Sequence, residues 1–245
     1  MSREHRFKGD CIMYTYWLVG VGAVIGMLSC WPMCSELTAA PAQNAQTAAS
    51  SMEQTLDAAW RAYNIGQYAK VVQMVTPLAS DGNPRAQVIL ARCYENGLGV
   101  PQDMEMAAKW LRLAADQNYS EAQVKLAYLY ELGVGVAGRD EKAVSDLMVR
   151  AAEAGNAEAQ FTLGLYYSQG RYGYPKDQSQ SFAWALRSAE QGYAQAERYV
   201  GACYEYGVGV EQNKEQADLW YGRAARQGLH KEGNVFPNSR QYTMP

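Results

Sequence analysis

The sequence predicts an all-α fold, an α-solenoid of stacked antiparallel helix pairs behind an N-terminal signal or anchor segment. Three observations carry the prediction: a passage that returns four times, an apolar stripe of helical period inside each copy, and a glycine that closes each copy. The copies begin at Ala86, Ala122, Ala159 and Ala196, in steps of 36, 37 and 37 residues. A period of that size marks stacked supersecondary units, each burying its apolar face on its neighbours.

In chain order, the first element is a targeting segment, residues 1–42. Arg3, Arg6 and Lys8 precede an uncharged run from Cys11 to Ser35 rich in aliphatic, Met and aromatic residues. Positive residues ahead of such a run keep the start of the chain in the cytoplasm and send the downstream repeats across the membrane. Cleavage after Ala42, a retained inner-membrane anchor and lipidation at Cys30 all stay open, and each places the rest of the chain in or facing the periplasm. Residues 43–52 (QNAQTAASSM) lack large apolar groups and read as a flexible linker. Residues 53–83 form one helix pair with a short turn at Gly66, and its stretch 56–79 resembles a tetratricopeptide-type unit.

The four copies divide as 84–119, 120–156, 157–193 and 194–228. With each starting alanine at offset zero, offsets 0, 4, 7 and 8 hold Ala86, Leu90, Cys93 and Tyr94 in the first copy, and residues of the same kind in the others. These offsets share one face of a 3.6-residue helix. Offset 5 is small throughout (Ala91, Ala127, Gly164, Gly201), which lets a neighbouring helix approach closely. Gly97, Gly133, Gly170 and Gly207 end the helices where a left-handed cap is needed. The second helix of each unit carries Trp110, Leu147, Trp184 or Trp220, followed in three copies by an alanine pair. Residues 171–173 and 137–140 read as loop insertions of little thermodynamic cost. Residues 229–245 lack a helical stripe and are expected to form a tail or a cap, with Val235 and Phe236 over the last unit.

The string AQ, then L and A, then YExGxGV, then W and AA resembles the SEL-one-like repeat (SLR), a relative of the tetratricopeptide repeat. Copy three departs from it, with Ser168 where the others have Glu95, Glu131 and Glu205, and Tyr174 for valine. Copy two lacks the tryptophan. The resemblance implies a binding protein: an envelope adaptor or scaffold, a host-interaction factor, or an immunity protein that neutralises a secreted, type VI phospholipase-like effector. A branch of the family credited with β-lactam or cell-wall chemistry staples each repeat with a cysteine pair. Here the repeats hold only Cys93 and Cys203, three units apart, too far for a disulfide.

Composition argues against an enzyme. The two histidines, His5 and His230, fall outside the repeats, so a nucleophile–His pair has no place, and no metal-ligand spacing is present. Glu95, Glu131 and Glu205 sit in different units, too far apart for a glycosidase pair, and read as solvated helix ends. The GxGV turns follow helices and lack the P-loop lysine, which makes them caps rather than phosphate cradles. No cofactor is expected. The 22 basic and 25 acidic residues leave a net charge of −3 with no basic stripe, so nucleic acid is not an expected partner. The membrane is engaged only through the N-terminal segment, and the unbound chain is expected to be a monomer.

What varies between copies is the face opposite the stripe. Offset 3 reads Ile89, Lys125, Thr162 and Tyr199, offset 6 begins Arg92, Tyr128 and Leu165, and offset 10 includes Asn96 and Tyr206. In stacked arrays of this type the first helices line the concave wall. Those nine residues are the candidate contacts for a partner protein or peptide, with Arg92, Tyr128 and Tyr199 as anchors.

Overall fold

The computed structural model of the chain describes residues 36–230, with side chains from residue 50 onward. The chain divides into two compact units, 1–47 and 48–245. The hydrophobic run, Cys11, Cys30, Cys34 and the tail from 231, with Val235 and Phe236, lie outside the described residues. Among the described residues there are ten helices and no strands: α1 (Glu36–Asn64), α2 (Tyr68–Ser80), α3 (Pro84–Asn96), α4 (Met104–Asp116), α5 (Ser120–Leu132), α6 (Glu141–Glu153), α7 (Ala157–Gln169), α8 (Gln178–Glu190), α9 (Ala194–Tyr206) and α10 (Lys214–Arg226). Helix α1 runs through 43–52, the stretch whose composition suggested a linker. Alanine and glutamine are strong helix formers, and nothing in that stretch breaks a helix.

In each copy the first helix packs on its own second helix, and the second helix packs on the first helix of the next copy. Ala86, Ala122, Ala159 and Ala196 are fully buried, as is the small residue at offset 5. All four closing glycines adopt the left-handed conformation, with φ between 66° and 70°. The second glycine of the GxGV turn answers to a different constraint. A Cβ on Gly135 would lie 2.1 Å from the Met104 carbonyl oxygen, and one on Gly209 would lie 2.0 Å from that of Gln178. Only glycine lets these turns rest on the start of the preceding second helix. The third turn carries the insertion, and a Cβ on its Gly173 would meet nothing within 4 Å beyond its chain neighbours.

The seam between copies is pinned by a buried side chain at offset 1. Gln87, Gln123 and Gln160 each donate through Nε2 to the carbonyl eight residues earlier, Ala79, Ala115 and Ala152, at 3.1, 3.3 and 3.1 Å. These carbonyls lie in the last turn of the preceding second helix, where each also accepts a backbone N–H of the turn that follows. Copy four has Glu197, whose carboxylate offers no N–H in place of the glutamine amide. Arg223 replaces the lost bond, donating to Glu197 Oε1 at 2.8 Å and to the Ala189 carbonyl at 3.2 Å.

A second amide completes the clamp from outside. Gln117 donates to Gln87, Gln191 to Gln160 and Gln227 to Glu197, at 3.1, 2.7 and 2.8 Å. In copy two that position is Ala154, and the Oε1 of Gln123 is correspondingly buried with no partner. Ala154→Gln should therefore supply the missing donor and stabilise the chain by about 1 kcal/mol. The change would be seen as a higher urea midpoint at unchanged slope. An unmoved midpoint would mean that the Gln123 oxygen already has a partner.

Candidate functional site

The wall built by the first helices opens into two basins. The first, of about 260 Å³, is centred on α3 and lined by Asp57, Trp60, Arg85, Val88, Ile89, Arg92, Tyr119 and Glu121. The second, of about 240 Å³, is centred on α7 and lined by Tyr128, Glu131, Phe161, Thr162, Leu165, Tyr166, Gln169, Arg171, Tyr193 and Gln195. Among the described residues no group of three or more His, Cys, Asp or Glu side chains could hold a metal ion. No described helix is long and apolar enough to cross a membrane.

In basin one the chain holds its own arginine against aromatic faces. The Arg92 guanidinium lies 5.6 Å from the Trp60 ring centre and 5.9 Å from that of Tyr63, and its NH2 atom is 3.5 Å from Glu121. Arg85 beside it pairs with Glu53. Trp60 stays 45% exposed on the wall, with its ring stacked on Tyr63.

Basin two is richer in tyrosine. Tyr128 donates its hydroxyl to Glu158 at 3.0 Å, and burial, followed by weaker effects of its neighbours, pushes its phenol from 10.0 up to about 12. Tyr172, in the inserted turn, donates to Glu131 and packs against Tyr166 with the rings tilted at 49° and their centres 4.4 Å apart. Burial, and then that bond to Glu131, push its phenol up to about 12 as well. Arg171 lies over the Tyr172 ring at 4.8 Å and 3.7 Å from Glu131. Tyr166 is 5% exposed, and its hydroxyl is buried without a partner. Its phenol too is pushed up, by burial first and by the Glu131 charge second.

The candidate contacts fall in different places. Ile89 and Arg92 line basin one, and Tyr128, Thr162 and Leu165 line basin two. Lys125, part-exposed on α5, lines neither. Asn96 is exposed and turns its amide back to the Arg92 carbonyl at 2.9 Å. Tyr206 stands 52% exposed at the end of α9. Tyr199 does not reach the wall: it is 1% exposed, with its hydroxyl 2.9 Å from Ser181 Oγ and its ring edge-on to Phe161. In copy four, offset 3 turns toward the preceding copy. A buried serine on α8 gives this one tyrosine a polar partner inside the stack.

Arg92 and Tyr128 are also less free than their variation suggests, because each reaches a glutamate at the start of the next first helix. Glu131 and Glu205, read from sequence as solvated helix ends, instead accept from Tyr172 and from Tyr221. Sequence reasoning missed Tyr119, Glu121, Tyr193 and Gln195, because residues just before the starting alanine were not assigned a face. It also missed Tyr166, which the repeat pattern places in the core. The signal was present: offset 7 holds Cys93, Leu129 and Cys203 in the other copies, and a phenol is too long for that slot.

Paired helices in register, glycine-closed turns and buried offset-1 residues define a repeat solenoid. The Sel1 repeat model matches residues 84–119, 120–156, 157–193 and 194–229, and the chain belongs to the Sel1 repeat family. The crystal structure of a Sel1 repeat protein from Oxalobacter formigenes is 36% identical, with a TM-score of 0.63 over 66% of this chain and 46% of that one. The protective antigen c5321 of uropathogenic Escherichia coli, which displays an SLR fold, is 30% identical, with a TM-score of 0.63 over 73% and 38%. The chain therefore spans less than half the length of either. The immunity protein Pa5087 of Pseudomonas aeruginosa, 24% identical, shares the fold with a TM-score of 0.50 over 71% and 66%. No curated protein sequence matches the chain.

The raised phenols give the fold a signature in alkali. The folded chain keeps protons on Tyr128 and Tyr172 where an unfolded chain has released them, so their contribution is intact below pH 10. It is lost as the pH climbs from 10 through 12. Melting temperature should be level through neutrality and fall above pH 10, less steeply in Tyr128→Phe. A variant that follows the wild-type curve would contradict the assignment.

Proposed function

We propose that this Sel1 repeat protein is an exported, non-enzymatic binding protein whose first-helix wall holds another protein or a peptide. The observation that carries the reading is the pair of side-chain-sized basins on one wall. Each is smaller than the roughly 300–1,000 Å³ typical of small-molecule sites, and their lining mixes tyrosine, tryptophan and arginine with aliphatic groups. Those residue types concentrate binding energy at protein interfaces. The positively flanked apolar run ahead of the repeats supports placement in the periplasm, either free after cleavage at Ala42 or anchored in the inner membrane.

Two measurements test the reading. A fusion of alkaline phosphatase after residue 245 should be active in the intact cell, and N-terminal sequencing of the released form should begin at Gln43. An inactive fusion refutes export. The exported chain, used as bait on the envelope fraction, should retain a partner that the double variant Trp60→Ala, Leu165→Ala loses while keeping wild-type helical circular dichroism. Equal retention would remove the wall from the interface. A narrower form of the proposal makes the partner a secreted effector and this chain its immunity protein, the role named for Pa5087, whose likeness to this chain is one of fold. Protection of cells on co-expression with a neighbouring effector gene separates that role from an adaptor. Turnover of nitrocefin or muropeptides by the purified chain would instead support an enzyme.

A further inference from the structure

We infer that the basin centred on α7 is a subsite for one basic side chain, an arginine or lysine, presented by the polypeptide that this wall binds. The inference rests on the binding reading above and adds the chemistry of the anchor.

The basin is about 240 Å³, room for a single long side chain rather than for a folded element. It includes Tyr166, more than nine-tenths buried, whose hydroxyl has no partner. A buried polar group without a partner is costly until something meets it. Two carboxylates flank the basin, Glu131 in its lining and Glu158 bonded to the lining residue Tyr128. They face one cation of the lining, Arg171, which is half exposed and 3.7 Å from Glu131, beyond direct hydrogen-bonding distance. Arg171 answers Glu131, whereas Glu158 has no cation among the lining residues and the Tyr166 oxygen has no donor. Burial and the carboxylates together raise the phenols of Tyr128, Tyr166 and Tyr193, as a negative potential around the basin requires.

Basin one shows what such a place holds when the chain fills it. There the offset-6 residue is Arg92, laid over aromatic rings beside Glu121. In basin two offset 6 is Leu165, and the lining's own cation, Arg171, comes instead from the inserted turn and lies over the Tyr172 ring, so the position that Arg92 fills in basin one is open to an incoming cation. The guanidinium or ammonium would meet Tyr166 Oη and the Glu131 carboxylate, and its aliphatic stem would lie along Phe161, Leu165 and Tyr193. Exposed Leu132 and Tyr206, at offset 10 on the flanking helices α5 and α9, give the rest of the bound chain an apolar rim that keeps water out.

The test is selection from a random dodecapeptide phage library on the immobilised full-length chain, followed by fluorescence anisotropy with the enriched peptides. One position should be arginine or lysine, and replacing an arginine there with uncharged citrulline should weaken binding tenfold or more. Tyr166→Phe should weaken binding severalfold without lowering the melting temperature, since it deletes an unpaired hydroxyl. Leu165→Arg, which supplies an internal cation as in basin one, should abolish binding. Enriched peptides that occupy the wall with no basic preference, or that bind both variants normally, overturn the subsite while leaving the binding reading intact. Failure to enrich any peptide overturns both.

Discussion

Every copy in this stack depends on one buried contact: the side chain at offset 1 of a first helix, holding the exposed carbonyl end of the helix before it. Apolar burial drives the helices together, but it is non-directional and would accept a slide along the seam. A buried amide has fixed donors, and its own N–H is left without a partner if the helix slips. Gln87, Gln123 and Gln160 therefore set the register that the alanine and glycine stripe makes possible. Copy four shows how strict the requirement is. Where glutamate replaces glutamine, Arg223 crosses from α10 to bond both the carboxylate and the Ala189 carbonyl.

Because the seam is so uniform, the basins arise where the repeat departs from itself. The inserted turn at 171–173 packs Tyr172 against Tyr166 and places Tyr172 and Arg171 beside Glu131. Tyr166 extends a core position into the basin, and Leu165 leaves out the arginine that basin one contains. Each departure is tolerated because neighbouring copies carry the register, so one unit can give up regularity for a polar cavity. The positions that make this wall chemically distinctive are thus partly loop and partly core, and they were not confined to the variable face of the first helix.

Much of this was legible in the chain. The period, the apolar stripe, the four closing glycines and the recurrent aromatic of the second helix are local regularities, and backbone geometry turns them into helices without reference to the rest of the molecule. Five of the nine candidate contacts line a basin for the same reason, since a helical offset defines a face. Tyr199 was misplaced because its burial depends on Ser181, a small polar residue 18 positions away on another helix. Glu131 was read as solvated because its partner sits on an insertion 41 residues downstream.

The sequence by itself determined the repeat, its helix ends and the residues free of the packing pattern, since these follow from 3.6-residue periodicity and the conformational range of glycine. Tertiary structure alone decided which of those residues meet across the seams. The pairing of Arg92 with Glu121, the bond from Tyr128 to Glu158 and the orphaned hydroxyl of Tyr166 all depend on how helices from successive copies are spaced. Such distances are set by how closely small side chains let the backbones approach, and no periodicity along one helix encodes them.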